Sequence, residues 1–405
     1  MLFCKRQRNE HYKYIICAFI FLLSGTAITN VLPLTYPSML LLSILLIIPF
    51  VHGVAINGIR IRIALIPLIY MFVIPLIKDP LNYKYCISVV LYIILAFLVT
   101  KVLPFMDFTK AFVRIILLVT LISLPYYILL NFMNINLPVV DMTNQAQAIE
   151  YKFGILFNYL PYQKDRNCGI FWEPGLMATF LIIAYVFVLF IKPKRRLVYK
   201  LLLVFALITT KSSAGYALML LVLLLELSLP HSYTRKKAIV YASGIFVLSV
   251  LIFVAVSNET VISYLIEGAG YGGGIQKIFY KLQLFNAAQS QRGNAIVFWI
   301  EQFVGNPILG RGVVGITENY VWDTCTCFMF LGAFGVMGFT YTALWIYAVY
   351  RLKNINAVSK TIIFCVIFII LNKEPHARLL STWIILFYLL GEGKKDTRNL
   401  LSNNA

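Results

Sequence analysis

The stretch Leu176-Met-Ala-Thr-Phe-Leu-Ile-Ile-Ala-Tyr-Val-Phe-Val-Leu-Phe-Ile191 carries no charged side chain, and it directly follows Arg166-Asn-Cys-Gly-Ile-Phe-Trp-Glu-Pro-Gly175. A membrane-spanning helix needs roughly 20 consecutive, mostly apolar residues. This run is therefore typical of a helix that crosses a bilayer. The arginine and the glutamate that precede this run then need an explanation, because placing a charged side chain near hydrocarbon costs free energy.

The whole chain has the same character. Of its 405 residues, 60% are hydrophobic and 13% are charged, which leaves too little polar surface for a soluble globule. Apolar spans lie near residues 14–32, 39–56, 61–77, 85–100, 111–137, 170–191, 198–210, 214–229, 238–256, 325–349, 361–372 and 379–391. We therefore predict an all-α polytopic membrane protein with about 12 transmembrane helices, forming a single integral membrane domain over residues 1–405.

The positions of the basic residues set the predicted orientation. An even number of spans places both termini on one side, and alternating the connections puts 23 of the 35 Lys and Arg residues on that side. The positive-inside rule then places both termini in the cytoplasm. The net charge of +19 follows from this topology, so we expect no nucleic-acid partner.

Two long segments fall outside the membrane in this topology, 138–169 and 257–324. The second is a large extracytoplasmic loop between spans nine and ten, and its mixture of glycines and large apolar residues suits a helix lying on the bilayer surface. We expect both loops to contribute to the functional site.

Neither a metal nor a cofactor is expected. Cys325-Thr-Cys327 lacks the spacing and the further ligands of a zinc site. Gly270-Tyr-Gly-Gly-Gly274 follows no βα unit, and the chain has no phosphate-binding GxxxxGK[ST] sequence. Chemistry on the outer face must therefore use an activated substrate or a gradient.

Several cations gather at the predicted outer face. Guanidinium groups match phosphate oxygens in bidentate fashion, so such a set is suited to a diphosphate at a lipid headgroup. The alternative for each cation is a headgroup-level anchor with a buried stem. The candidates are Arg166, Lys211, Arg292, Arg311 and Arg378.

Three residues at this face are candidate general bases for an acceptor hydroxyl, in the order Glu173, His376 and Asp323. Glu173 followed by Pro174 is also an ordinary helix opening, with the carboxylate near the positive end of the helix dipole. His376 has the alternative of an exposed loop histidine.

The order of these stretches resembles the O-antigen polymerase and O-antigen ligase superfamily of membrane glycosyltransferases. The resemblance covers roughly residues 160–350, while the first five spans agree only in hydropathy. It rests on Arg166 with Phe171-Trp-Glu-Pro-Gly175, Thr210-Lys-Ser-Ser-Ala-Gly215, Arg292 with Trp299, Asn306-Pro-Ile-Leu-Gly-Arg-Gly312, and Leu331-Gly-Ala-Phe-Gly-Val-Met-Gly338.

Departures from the pattern favour the polymerase branch. Ligases carry a His-Asn pair about ten residues before the glycine that matches Gly335, where this chain has Thr324 and Cys325. Lys211 also stands where an arginine is usual, which keeps the charge but not the planar fork.

The resemblance implies an enzyme of the bacterial cytoplasmic (inner) membrane that polymerises oligosaccharide repeat units linked to undecaprenyl diphosphate. Arg166 and Arg292 would bind the diphosphates of donor and acceptor, supported by Arg311, Lys211 and Arg378. A flippase and a chain-length regulator would be partners, and membrane lipid would surround the chain. A ligase-type transferase, a flippase for lipid-linked units and a sensor or structural membrane protein stay open as alternatives.

Overall fold

The computed structural model describes residues 2–51, 59–78, 83–144 without 134 and 136, 148–229, 291–313, and 323–391 without 354. Most of these residues are helical. The helices are α1 (Leu2–Leu22), α2 (Ala27–Val31), α3 (Thr35–Val51), α4 (Ile59–Lys78), α5 (Tyr83–Val102), α6 (Phe105–Asn131), α7 (Pro174–Ile191), α8 (Arg196–Thr210), α9 (Ser213–Ser228), α10 (Gln291–Gly305), α11 (Thr326–Phe334), α12 (Phe339–Tyr350), α13 (Ala357–Leu371) and α14 (Leu380–Gly391).

Four stretches within the described residues are long and apolar enough to cross a membrane: Lys84–Val102, Phe105–Asn131, Pro174–Ile191 and Thr326–Tyr350. Shorter apolar helices accompany them, at His11–Leu22, Thr35–Ile47, Ala64–Ile77, Ser213–Ser228, Ala357–Leu371 and Leu380–Gly391. The mostly helical, apolar architecture agrees with the sequence analysis, but the count of 12 spans is not confirmed. The predicted span 238–256 lies outside the described residues.

The first predicted span, 14–32, is divided in the structure. α1 ends at Leu22, and Gly25 has a φ of +91° that favours glycine. The carbonyl oxygen of Gly25 accepts from the Trp172 N–H at 3.1 Å, and the Leu23 oxygen accepts from the Leu380 N–H at 3.2 Å. Residues distant in the chain thus donate hydrogen bonds to carbonyl groups that would be bonded within the helix if the helix were continuous.

The prediction of an all-α chain is corrected by a small antiparallel sheet in the 138–169 segment. Its strands are β1 (Val140–Asn144), β2 (Ile149–Gly154) and β3 (Phe157–Tyr159), in the order β1-β2-β3. Polar and apolar residues alternate along β2, where Tyr151 is buried and Lys152 pairs with Asp141 at 3.1 Å. This period of two is the strand signal that a search for apolar runs passes over.

Contacts between helix termini sort the molecule into two ends. At one, the polar end, the 166–175 segment meets the turn after α8 and the 372–378 turn between α13 and α14. The Asn167 N–H donates to the Thr209 oxygen there, at 2.9 Å. The other end is the basic end, where α6, α8 and α13 begin. Lys13 pairs with Asp107 there, at 2.8 Å. The alternation of helices therefore brings the candidate residues of several segments to one end.

Candidate functional site

The 166–175 segment is the centre of the polar end, and Asn167 fixes its backbone. Asn167 is fully buried, and its Nδ2 donates to the Thr209 Oγ1 at 3.0 Å and the Ser123 Oγ at 3.2 Å. Its Oδ1 accepts from the Gly169 N–H at 2.9 Å. A buried amide with these bonds holds the segment against α6 and α8, so the side chains on either side of it have defined positions.

Arg166 and Lys211 lie on the α8 side of this segment. The Arg166 Nε donates to the Thr210 carbonyl at 3.0 Å, and its Nη1 donates to the Gln163 Oε1 at 2.9 Å. Lys211 ends α8 in the left-handed region, with φ of 48°, and its Nζ pairs with the Asp165 Oδ2 at 3.0 Å. The two hydrogen-bond partners of Arg166 named here are neutral groups, and its side chain is half-buried.

Three charged residues surround the start of α7 on the other side. Glu173 holds the N-cap position and Pro174 follows in the first turn, as predicted, but the Glu173 side chain makes no capping hydrogen bond to α7. The Lys373 Nζ donates to the Gly175 carbonyl at 2.7 Å. A Cβ on Gly175 would lie 2.7 Å from the Glu374 Oε1 and 3.4 Å from the Glu173 Oε1, so both carboxylates approach the same point.

The charges of Arg166 and Glu173 both act on the thiol of Cys168. Burial raises the pKa of its thiol to about 12, with Arg166 opposing the shift and Glu173 adding to it. The thiol is therefore protonated at neutral pH and is not a nucleophile. Its environment also shows that Arg166 and Glu173 act on the same small region.

Asp323 forms an ion pair with Arg378 at the far side of the 372–378 turn. The Arg378 Nη1 donates to the Asp323 Oδ2 at 3.2 Å, and the Tyr85 hydroxyl donates to the Oδ1 at 3.0 Å. The Asp323 side chain is 1% exposed and that of Arg378 is 52% exposed. Burial raises the pKa of Asp323, although Arg378 and Tyr85 oppose the shift.

His376 is buried beneath the polar end instead of lying in an exposed loop. Its Nδ1 is 2.8 Å from the Thr382 Oγ1, and its Nε2 has no hydrogen-bond partner among the described residues. Burial lowers its pKa to about 3, and the nearby Lys373 adds to this shift. The imidazole is therefore neutral over the physiological range.

Arg311 lies away from this cluster. The Arg311 N–H donates to the Gly332 carbonyl at 3.0 Å, which places the residue about two turns into α11. Its guanidinium donates to the Gln302 Oε1 and lies 5.7 Å from the centre of the Phe298 ring. Arg292 begins α10, but its side chain lies outside the described part of the chain.

Two stretches that carry the resemblance, 306–312 and 331–338, pack directly against each other. A Cβ on Gly310 would lie 2.3 Å from the Ala333 oxygen, and one on Gly335 would lie 2.5 Å from the Ile308 oxygen. Both glycines also have positive φ, of 68° and 62°. The glycines thus permit backbone-to-backbone contact, which is a structural role separate from the charged cluster.

Sequence reasoning missed Lys373 and Glu374, which lie closest to α7. They are adjacent in Asn372-Lys-Glu-Pro-His-Ala-Arg378, and a charged pair between two apolar runs was an available signal. Asp165 and Asn167 were also missed, because their partners Lys211 and Ser123 are distant in the chain and no local spacing indicates them. Gln163 was missed although its partner, Arg166, is only three residues away.

The polar end therefore combines cations for an anionic ligand with carboxylates that could accept a proton. Scans against protein-family models and curated proteins find no match to this chain. Its function is accordingly argued from this geometry.

Proposed function

We propose that this protein polymerises oligosaccharide repeat units carried on undecaprenyl diphosphate, at the extracytoplasmic face of a bacterial inner membrane. The growing glycan leaves its diphosphate carrier and joins the non-reducing sugar of an incoming unit. The polar end faces outward in this proposal, and both termini lie in the cytoplasm.

The observation that carries the proposal is the convergence on the 166–175 segment. Arg166, the first residue of this segment, bonds to the end of α8, and Lys211 pairs with Asp165 directly before it. Lys373 and Glu374 approach the other end of the segment, at Gly175. A glycosyl transfer from a diphosphate needs cations where the leaving group develops charge and a base near the acceptor hydroxyl. The cluster supplies both chemical types within one folded unit.

Arg166 is the principal diphosphate ligand in this proposal. Its present partners are a backbone carbonyl and a glutamine oxygen, which a phosphate oxygen can replace with a stronger, charge-assisted bond. Lys211 already pairs with Asp165, so it makes a smaller contribution. Arg378 is half-exposed beyond Asp323 and serves as a further support, while Arg292 and Arg311 are assigned to the acceptor side by resemblance alone.

Glu173 is the proposed general base. As the acceptor hydroxyl oxygen bonds to the anomeric carbon of the donor, the bond from that carbon to the diphosphate oxygen breaks. The hydroxyl proton passes to the Glu173 carboxylate, and undecaprenyl diphosphate leaves with the bonding electrons. Asp323 and His376 are both 1% exposed, so Glu173, which is half-buried, has better access to a sugar.

The test is a surface-polysaccharide gel from cells that lack this gene, complemented with variants of the full chain. Wild type should restore a ladder of repeats, and Arg166→Lys should lose most of it, because the planar fork is gone although the charge stays. Arg195→Lys, at an exposed position of the basic end, is the matched control and should give the full ladder. An immunoblot of membrane fractions should show equal amounts of each variant.

Glu173→Gln separates the proposed chemistry from a helix-opening role. Loss of elongation at normal protein level is expected for the base, whereas reduced protein with residual ladder would indicate a structural role only. An unchanged ladder in the deletion strain would refute the polymerase proposal. Loss of even single-unit product would instead favour the ligase or flippase alternatives.

A further inference from the structure

The turn between β2 and β3 is apolar, although hairpin turns are usually polar. Gly154 pairs with Phe157 across the strands, so Ile155 and Leu156 form a two-residue turn. The usual pairs at such positions are Asn-Gly and Asp-Gly, and Leu156 has a φ of +53° that L side chains rarely adopt. The Ile155 and Leu156 side chains are 74% and 42% exposed. The tip of this hairpin therefore presents two large aliphatic side chains at the surface of the protein.

The hairpin tip packs beside the last turns of α6. A Cβ on Gly154 would lie 3.4 Å from the Tyr126 Cε1, and the rings of Phe157 and Tyr126 stack with their centroids 5.2 Å apart. Both residues that flank the turn thus contact the same side chain of α6. Tyr126 comes five residues before the end of α6 at Asn131, which is about 7 Å along the helix axis. The tip therefore lies alongside the helix and not beyond its end.

This part of α6 belongs to a stretch that is long and apolar enough to cross a membrane. No charged residue occurs from Ile115 to Met133, and this run of 19 residues is about 28 Å long as a helix, close to the thickness of the hydrocarbon core. Tyr126 lies within the run. Its exposed apolar side chains recur at helical spacing and so share one face: Leu118, Leu121, Ile128 and Phe132. The hairpin tip is therefore level with a part of α6 that lipid would surround.

The exposed residues farther along the same sheet are charged. Lys152 pairs with Asp141 at 3.1 Å and lies 3.8 Å from Glu150, and these two carboxylate side chains are 57% and 50% exposed. Glu150 comes four residues before Gly154, which is about 13 Å along a strand. The sheet thus has an apolar tip and a charged remainder. An exposed apolar patch with a polar rim is typical of a contact with a membrane or another protein.

We propose that the Ile155-Leu156 tip inserts into the bilayer around this chain, at the boundary between the headgroups and the hydrocarbon. Lipid is the partner because the tip lies beside α6, at a level where the exposed face of that helix is itself apolar. A protein that covered the tip would have to displace the lipid next to α6. The proposal requires that α6 crosses the membrane, and it does not depend on the polymerase function.

Insertion of the tip would also fix the depth of the candidate site. Asn158 in β3 is 1% exposed, and its Nδ2 donates to the carbonyl oxygens of Gly169 at 2.8 Å and Phe171 at 3.1 Å. The hairpin is thereby bonded to the 166–175 segment. An inserted tip therefore holds this segment at a constant distance from the hydrocarbon.

The first test places the photoreactive residue benzoylphenylalanine at position 155 of the full chain. Cells that make this Ile155→benzoylphenylalanine variant are irradiated, and the cross-linked products are identified by mass spectrometry. We expect adducts with phospholipid to be the main product. Thr143→benzoylphenylalanine is the matched control, because Thr143 is exposed on β1 and pairs with Glu150, away from the tip. This control should lose the lipid adducts.

A second test uses a smaller substitution, in case the photoreactive variant does not accumulate. Ile155→Trp is reconstituted in vesicles of phosphatidylcholine, with or without bromine near the headgroup end of the acyl chains. The fluorescence that this variant gains over wild type should be lost in the brominated vesicles, because bromine quenches only indole rings in its immediate neighbourhood. Thr143→Trp should keep its gain in both kinds of vesicle.

Three results would overturn the proposal. Adducts with protein and not with lipid at position 155 would show that the tip is a protein interface. Fluorescence of Ile155→Trp that survives in brominated vesicles would place the tip in water. Equal quenching at positions 155 and 143 would show that the contact with lipid is not confined to the tip.

Discussion

The polar end and the basic end of the molecule each combine a buried charged group with an ion pair that is partly exposed to solvent. At the polar end, Asp323 is 1% exposed, whereas Lys211 and Asp165 are 28% and 30% exposed. At the basic end, Lys13 and Asp107 are 24% and 30% exposed. Lys373 and Glu374 at the polar end are also buried, at 4% and 1% exposure. A buried charged group depends on its protein partners, because it is removed from water. An exposed charged group can replace its partners with water molecules.

A buried ion pair is also found among the described residues of the basic end. Glu226 in α9 is 9% exposed, pairs with Lys200 and accepts from the Tyr185 hydroxyl at 2.9 Å. These three residues come from consecutive helices, so the pair joins α7, α8 and α9. At the polar end, Lys211 pairs with Asp165 and Arg378 pairs with Asp323, so these contacts join segments that are distant in the chain.

The largest effect is expected from Arg378→Ala. This change removes the cation that pairs with the buried Asp323 carboxylate, which keeps its hydrogen bond from Tyr85. Removing one partner of such a pair lowers the free energy of unfolding by about 3 kcal/mol. Thermal unfolding in detergent should show a clear loss. Adding Asp323→Asn should restore part of it, and a double variant as unstable as the single one would contradict the role of the pair.

A smaller loss is expected from Gly175→Ala. The added Cβ would lie 2.7 Å from the Glu374 Oε1, and such crowding costs about 2 kcal/mol. Gly305→Ala is the matched control, because a Cβ there would meet nothing within 4 Å. Equal unfolding temperatures for the two variants would show that the carboxylates tolerate displacement.

The pH dependence of stability should show His376. Its folded-state pKa of about 3 lies below the unfolded value, so the unfolded chain takes up a proton first as the pH falls, and stability is lost. Between pH 7 and 5.5 the loss should be about 1 kcal/mol. His376→Asn should remove this part of the slope, while the raised pKa of Asp323 contributes with the opposite sign in both proteins.

The smallest effect is expected from Lys13→Ala at the basic end. A partly exposed pair of this kind contributes roughly 0–1 kcal/mol, and salt screens it. Unfolding at low and high ionic strength should differ little between this variant and wild type. A loss as large as that of Arg378→Ala would contradict the distinction between a buried carboxylate and a partly exposed pair.

The sequence predicted much of the helical architecture because hydropathy reports a property of each segment alone. The run Leu176–Ile191 and the opening at Glu173-Pro174 appear in α7 as expected. The break at Gly25 was not predicted, since its cause is hydrogen bonding to Trp172 and Leu380, far away in the chain. The count of 12 spans is not confirmed, because four stretches of the described residues are long and apolar enough to cross a membrane and the other apolar helices there are shorter.

The sequence indicated which residues of the candidate site lie at one end of the molecule, but it did not indicate the contacts among them. Alternation of helices was sufficient to bring Arg166, Lys211 and Arg378 to one end. Pairing was not predictable, because Lys211 meets Asp165 and Arg378 meets Asp323 through tertiary contacts. The burial of His376 was likewise beyond local sequence, which shows only a polar turn.

The break at Gly25 also constrains the order in which the protein can be assembled during synthesis. The Leu23 carbonyl and the Ser24 hydroxyl, which accepts from the Ser381 N–H at 2.9 Å, bond to the start of α14. α14 leaves the ribosome after every other described helix. The polar groups at the end of α1 can therefore form these hydrogen bonds only after nearly the whole chain has been inserted. A ribosome stalled before α14 should yield a membrane-inserted intermediate in which a protease or thiol reagent reaches residues 23–26.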